Sequence, residues 1–229
     1  MSENTMRRLG SAMIRLLLTV LLAGAILSAN PGARIGASEE TALSPDDVAA
    51  VGRVLRYLNG ISTLRARFVQ ISSNGTYAEG EVVVKRPGKM RFDYDPPHPV
   101  LLIATGLSLL FYDRELKQAT FMPLWETPLW FLIREKVNLS DSIRVTRVAR
   151  GPGSLRVTLQ DRDAKDAGRI TLVFSDKPLS LKKWELVDAQ GIATQVSLVN
   201  PEFGVEVDPE LFEYRDLEID RPGPQRQGG

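Results

Sequence analysis

The sequence predicts a mainly β protein (α+β), an antiparallel sheet of about eleven short strands curled into a barrel or sandwich, with helices docked on it. Three observations lead there. From Leu64 onward apolar residues recur at every second position. Gly, Pro and Asn turn signals interrupt that alternation at short, regular intervals. The 3.6-residue period is scarce, which argues against alternating β-α units.

The chain of 229 residues is 43% apolar and 25% charged, enough for a large core in a single globular domain. Its formal charge of +1 lacks the basic surplus of a nucleic-acid binder, so no nucleic-acid partner is expected. At the N-terminus Arg7, Arg8 and Arg15 precede the apolar run LLLTVLLAGAIL (16–27). A basic segment before an apolar stretch too short to span a bilayer comfortably reads as a cleaved secretory signal over 1–37. Ala29 and Ala37 are the candidate cleavage ends. The alternative is an uncleaved anchor. The chain has no cysteine, so export requires no disulfide and no lipid can be attached through an N-terminal cysteine. The expected location is the periplasm, free of the membrane.

The first element after the signal is a helix. Ser44 is placed to cap it, Pro45 occupies its first position and Asp46 and Asp47 fall in its first turn. Val48, Val51, Leu55 and Leu58 then share one face up to Asn59-Gly60. Strands are expected over 64–73, 78–86, 89–95, 100–105, 108–113 and 117–122, and again over 142–149, 154–161, 168–175, 180–188 and 191–199. Between the two sets, Thr127-Pro128 can start a second helix through LWFLIREK. Leu129, Trp130, Phe131, Leu132 and Ile133 make it apolar nearly all round, so it needs cover on more than one side. Asp208-Pro209-Glu210-Leu211-Phe212 reads as a short helical turn, and 221–229 as a disordered tail after a single domain over 38–220.

Catalytic patterns are sparse. The one histidine, His98, sits in the turn DPPHP, and no G-x-S-x-G elbow exists to build a triad around it. One histidine and no cysteine also leave the usual zinc sets incomplete, and no metal or cofactor is expected. Asp93 and Asp95 lie on one face of a strand and could in principle do acid-base work. Their alternation with Phe92 and Tyr94 is equally the pattern of solvated carboxylates on the wet side of a half-buried strand. Pro87-Gly88-Lys89 is not a phosphate loop, because Val83 and Met90 stand where glycine and Ser/Thr are required.

The apolar residues carry more information. Val82, Val84 and Arg86 share a strand face, as do Met90, Phe92 and Tyr94 on the next strand, and Leu107, Leu109 and Phe111 further on. VLLIAT and LSLLFY are apolar on both faces, so the sheet needs cover on both sides, which docked helices would supply. Such a barrel could fill itself with its own side chains or leave a ligand cavity, and periodicity does not separate the two. Arg86 ends a dry row. Either it snorkels to water, or it points inward and needs acceptors such as the backbone carbonyls of a covering helix.

Taken in order, these segments resemble the outer-membrane lipoprotein carrier family. The resemblance rests on LRARFVQ (64–70), with Phe68 and Gln70 in an F-x-Q position, and on GEVVVKRPGKMRFDY (80–94). The proline pair before VLLIATG (100–106), LLFYDRELKQAT (109–120), TPLWFLI (127–133) and Phe212 complete it, so that it spans 45–214. TGLSLLFYD lacks the acid and the tryptophan of the family pattern, Phe92 stands where relatives often have tryptophan, and the charged stretch after Phe212 differs.

The resemblance implies an unclosed antiparallel β-barrel of about eleven strands covered by a helical lid, and a periplasmic chaperone and not an enzyme. Its cavity would hold the acyl chains of lipoproteins as cargo, taken from an inner-membrane ABC extractor and delivered to an outer-membrane acceptor by a monomer. It implies that Arg86 ties the lid to the barrel in the ligand-free state. The lining expected on that basis is Val82, Val84, Met90, Phe92, Tyr94, Leu109 and Phe111, with Leu129, Leu132 and Ile133 in the lid or beside it. Two other readings stand beside it: a lipid- or lipopeptide-binding sensor or scaffold of the same fold, and a secreted hydrolase using Asp93 or Asp95.

Overall fold

Eleven antiparallel strands form one sheet, in the order β6-β5-β4-β3-β2-β1-β11-β10-β9-β8-β7. The computed structural model describes residues 43–124, 127, 130–139, 143–161, 168–188, 191–215 and 217–218. The expected signal segment 1–37, the tail 221–229 and Leu129 lie outside the described residues. Helix α1 spans Pro45–Asn59, followed by β1 Thr63–Ser72, β2 Tyr77–Lys85, β3 Lys89–Tyr94, β4 Val100–Thr105, β5 Ser108–Asp113 and β6 Gln118–Pro123. A short helix α2, Trp130–Ile133, leads to β7 Ile143–Gly151, β8 Ser154–Asp161, β9 Arg169–Asp176, β10 Leu179–Val187 and β11 Ala193–Phe203. The chain builds outward from β1 to β6, restarts at the far edge with β7, and returns until β11 pairs with β1. Strands β6 and β7 are the two edges, so the barrel is unclosed.

One ring contact fixes the curvature. Phe92 on β3 and Trp184 on β10 meet edge to face with centroids 6.3 Å apart. Four strand spacings separate them along the sheet, roughly 19 Å if it were flat. The sheet therefore curls so that their shared face is the concave interior. Register extends that face across the strands: Val82, Phe92, Leu102 and Phe111 form one row, and Leu64, Val84, Met90, Ala104 and Leu109 the next.

The opposite, convex face of β2 to β5 is also apolar. Val83, Leu101, Ile103, Leu110 and Tyr112 pack there against Val207 and Phe212. This corrects the expectation that helices cover both sides: the outer cover is the C-terminal segment, with only the 3-10 turn Pro209–Phe212 in it. Backbone carbonyls of that segment are held by side chains of the sheet, Val205 by the Thr63 hydroxyl (2.7 Å), Val207 by Lys85 (3.1 Å) and Leu211 by Arg91 (3.1 Å).

Helix α1 starts as expected, with the Ser44 hydroxyl accepting the Asp47 N–H at 3.2 Å. Its buried stripe is shifted, however: Ala50, Val51, Val54 and Leu58 face inward, while Val48 is 58% exposed and Leu55 only half-buried. Helix α2 is shorter than LWFLIREK suggested, and the reason is local. The carbonyls of Leu132 and Ile133, which would continue the helix, are taken by Arg86 and by the Gly88 N–H. The Val137 N–H goes instead to the side chain of Asn59.

Gly80 shows how closely the inner wall is built. It sits between Phe68 and Tyr94 on the neighbouring strands, whose rings meet with centroids 5.0 Å apart. A Cβ on Gly80 would lie 2.1 Å from the Asp93 carbonyl oxygen and 2.8 Å from Phe68 Cε1. The first neighbour is backbone and cannot step aside. Gly80→Ala is therefore expected to cost at least about 2 kcal/mol, read as a lower urea midpoint at unchanged slope. A wild-type midpoint would show that β2 and β3 pair less tightly than this.

Candidate functional site

The concave face is roofed by α1 and α2, and beneath them lies a cavity of about 30 Å³. Leu64, Val82, Val84, Met90, Phe92, Leu181 and Trp184 form its barrel side, and Leu58, Ile61, Leu132 and Ile133 its cover. Arg86 completes it. A cavity needs about 10–15 Å³ to hold one water molecule, so this one admits about two or three, and a long acyl chain has no room in this geometry. The interior is lined with hydrocarbon and filled by the protein's own side chains. Any large apolar guest must first move the cover.

Side chains of the barrel tie the cover down. Arg86 leaves the end of β2 and turns inward. Its Nε donates to the Leu132 carbonyl of α2 at 2.8 Å, and its Nη1 to the Leu58 carbonyl near the end of α1 at 2.5 Å. Nη2 also donates to Leu132. One guanidinium thus joins both helices, binding carbonyls that helix dipoles make partly negative. Burial holds its pKa down to about 10, well below arginine's ordinary value, so it keeps its charge at neutral pH. The tie is therefore moderate: each hydrogen bond from a charged donor contributes about 1.5–3 kcal/mol, and desolvation offsets part of that.

Neighbouring contacts hold the same cover. The Gly88 N–H donates to the Ile133 carbonyl at 2.7 Å. Gly88 has φ +72° and lies so near Gly106 that a Cβ would come within 2.7 Å of its Cα, so the turn is open to no larger residue without movement. Asn59 makes a two-way pair with Val137, donating to its carbonyl and accepting its N–H, both at 2.8 Å. At the other end of α1, Arg150 of edge strand β7 bonds the Asp47 carboxylate at 2.6 Å and the Asp46 carbonyl at 2.9 Å. The Arg150 and Ser44 bonds hold the Asp47 carboxyl below its ordinary value. Arg53 pairs with Asp176 at 2.7 Å, and the Tyr57 hydroxyl accepts the Leu181 N–H at 3.0 Å.

Of the residues singled out in the sequence, Val82, Val84, Arg86, Met90, Phe92, Leu132 and Ile133 meet at this cavity. Leu109 and Phe111 are buried on the same sheet face but are not among its walls. Leu107, expected beside them, is 74% exposed in the preceding turn. Tyr94 belongs to an aromatic stack instead: its ring meets Phe68, and its hydroxyl donates to Gln70 Oε1 at 2.8 Å. Burial pushes that hydroxyl's pKa well up. Sequence reasoning missed Leu58, Ile61, Leu64, Leu181 and Trp184 as walls. Leu181 and Trp184 are three residues apart yet share the interior, because a bulge between Leu181 and Lys183 breaks the alternation. The indole N–H of Trp184 is buried without a hydrogen-bond partner, an arrangement that costs about 1–3 kcal/mol.

The carboxylates proposed for acid-base work face the other way. Asp93 is held by Arg91 at 2.8 Å and Arg114 at 2.7 Å, and Asp95 by both amino groups of Arg67. That pairing lowers the Asp95 carboxyl, the opposite of what a proton donor needs. His98 Nε2 lies 2.8 Å from the Tyr77 carbonyl oxygen in the turn after β3. Among the described residues no group of three or more acidic or histidine side chains could hold a metal ion.

An unclosed antiparallel barrel with an apolar interior, roofed by helices that Arg86 joins, defines the class: a lidded open barrel. Within that class the chain belongs to the family described as outer membrane lipoprotein carrier protein LolA, whose pattern matches residues 59–215. The outer-membrane lipoprotein carrier protein of Pseudomonas paraeruginosa is 29% identical over 178 residues, covering 74% of this chain and 85% of that protein. Its namesake in Alkalilimnicola ehrlichii is 31% identical over 174 residues, covering 71% and 78%. That of Azotobacter vinelandii is 27% identical over 185 residues, covering 76% and 88%.

Proposed function

We propose that this protein is a periplasmic chaperone that holds the acyl chains of lipoproteins under the α1–α2 cover and carries them toward the outer membrane. The observation that carries this reading is Arg86, which joins both covering helices through backbone carbonyls above an interior of hydrocarbon. In the proposed cycle 1–37 is removed on export, 38–220 forms the carrier domain and the chain works as a monomer. Val82, Val84, Met90, Phe92, Tyr94, Leu109 and Phe111 become the acyl-binding wall once the cover lifts, with Leu129, Leu132 and Ile133 on the moving side.

Energetics divide the labour. Burying an acyl chain gains about 0.8 kcal/mol per methylene, so pulling a triacylated lipoprotein into water costs tens of kcal/mol. A carrier that matched that affinity would never release its cargo. Opening the cover breaks its own hydrogen bonds and separates its own packed side chains, which lowers the net affinity to a reversible level. Extraction then falls to an ATP-driven inner-membrane complex, and delivery to an outer-membrane acceptor that binds more tightly still.

The reading is checked by native mass spectrometry of protein taken from the periplasm, together with titration of a fluorescent fatty acid. Co-purified acylated cargo and saturable probe binding are expected. Transfer of loaded cargo to acceptor membranes then separates a carrier from a sensor of the same fold. A protein that carries no acyl ligand and leaves the probe in solution is not a lipoprotein chaperone.

A further inference from the structure

Trp184 contributes to the cavity wall the one feature that hydrocarbon does not explain. The residue is 4% exposed, and its indole N–H has no acceptor among the described residues. It shares the cavity wall with Val82, Phe92, Met90 and Leu181, whose side chains offer no oxygen or nitrogen acceptor, only the weakly accepting Met90 sulfur. Arg86, the other polar wall residue, brings only donors, already committed to Leu58 and Leu132. Phenylalanine or leucine would fill the same space without leaving a donor unpaired, and interiors rarely keep such a group unless something pairs with it. In the closed form the ring is set edge to face against Phe92 at 88°, a contact that bridges the interior from one half of the sheet to the other. A guest entering beneath the cover has to part these two rings, and that exposes the indole edge to the guest.

We infer that Trp184 is a hydrogen-bond donor to the bound ligand, and that the ligand is an acyl ester or amide that brings a carbonyl oxygen into the interior. This inference rests on the acyl-binding reading and deepens it. The hydrocarbon walls hold any chain of suitable length. Trp184 adds a point at which an ester or amide carbonyl is told apart from a plain alkyl chain or an ether, whose oxygen is a poorer acceptor. Pairing the indole N–H also removes the penalty it carries in the closed form, so part of the cost of opening is returned only by a ligand of the right chemistry.

The test uses the full mature chain with two probes of equal chain length, a diacylglycerol and its dialkyl-ether analogue. The wild type is expected to bind the ester about tenfold more tightly, the effect of one added hydrogen bond. Trp184→Phe should bring that ester-to-ether ratio to within about twofold, the smaller ring acting on both probes alike. In amide spectra of 15N-labelled wild type, the Trp184 indole resonance should move downfield with the ester and stay in place with the ether. This second readout needs no variant to fold. Equal affinity for both probes with an unmoved indole signal overturns the role of Trp184 and leaves acyl binding intact. Binding of neither probe overturns the acyl reading itself.

Discussion

Replacing Arg86 with leucine is expected to leave the barrel folded and to open the cover. Leucine extends the apolar row of Val82 and Val84, so nothing in the wall is lost. What disappears is the bridge between the Leu132 and Leu58 carbonyls. Stability should change by no more than about 1–2 kcal/mol, since the buried charge and its desolvation leave together with the bonds. The cover equilibrium should respond far more. Losing bonds worth about 1.5–3 kcal/mol each moves it ten- to a hundredfold toward open. A fluorescent acyl probe should then bind about tenfold more tightly and leave more slowly, and transfer to acceptor vesicles should slow in proportion. Arg86→Lys should fall between, because a point charge does not span two carbonyls as a planar fork does. Wild-type probe affinity together with wild-type transfer in Arg86→Leu would remove this residue from the closing device.

The same residue gives an expectation for pH. Its value is depressed to about 10 by burial, so below that the charge is present in folded and unfolded protein alike. Only from about 10 up to arginine's higher ordinary value does the unfolded chain hold a proton that the folded one has released, and there Arg86's contribution to stability rises with pH. From about pH 5 to 8 probe release should show no step attributable to Arg86. The closing device responds to a competing ligand or partner, not to protons.

Much of the architecture was legible because the turns are abrupt. Asn74-Gly75, Pro87-Gly88 and Gln190-Gly191 stop an alternating pattern within two residues, and the strands beside them begin and end within about four positions of where the pattern puts them. The two-sided apolarity of β4 and β5 also announced a second cover. Its nature was hidden, because 205–208 and 213–215 flank the 3-10 turn Pro209–Phe212 without regular structure and offer no period to read. Arg86 could be singled out as a guanidinium at the end of a dry row, but its acceptors lie 28 and 46 residues away. The two surprises on β10 have a purely local cause, a bulge that turns Trp184 to the side on which strict alternation would place its neighbour Lys183. The contact that closes the interior joins β3 to β10, and no pattern within either strand encodes it.

Phe92→Ala should be the most damaging change in the empty protein and the one most repaired by ligand. Phe92 is 3% exposed and touches Phe68 as well as Trp184, so its truncation removes packing from both halves of the barrel. The expected loss is about 3–5 kcal/mol, read from urea unfolding. The space left behind lies where the rings of the closed form meet, so a segment of a long-chain fatty acid can enter there without first separating them. At a hundredfold excess over its dissociation constant such a ligand returns about 2.7 kcal/mol. At equal ligand concentration the gain in Phe92→Ala should exceed that in wild type, whose interior must be emptied of its own side chains before it accepts a guest. An equal or smaller gain in the variant would mean that the chain binds elsewhere than between β3 and β10. A larger gain would identify the ring contact as the protein's stand-in for its ligand, with self-packing and cargo competing for the same volume.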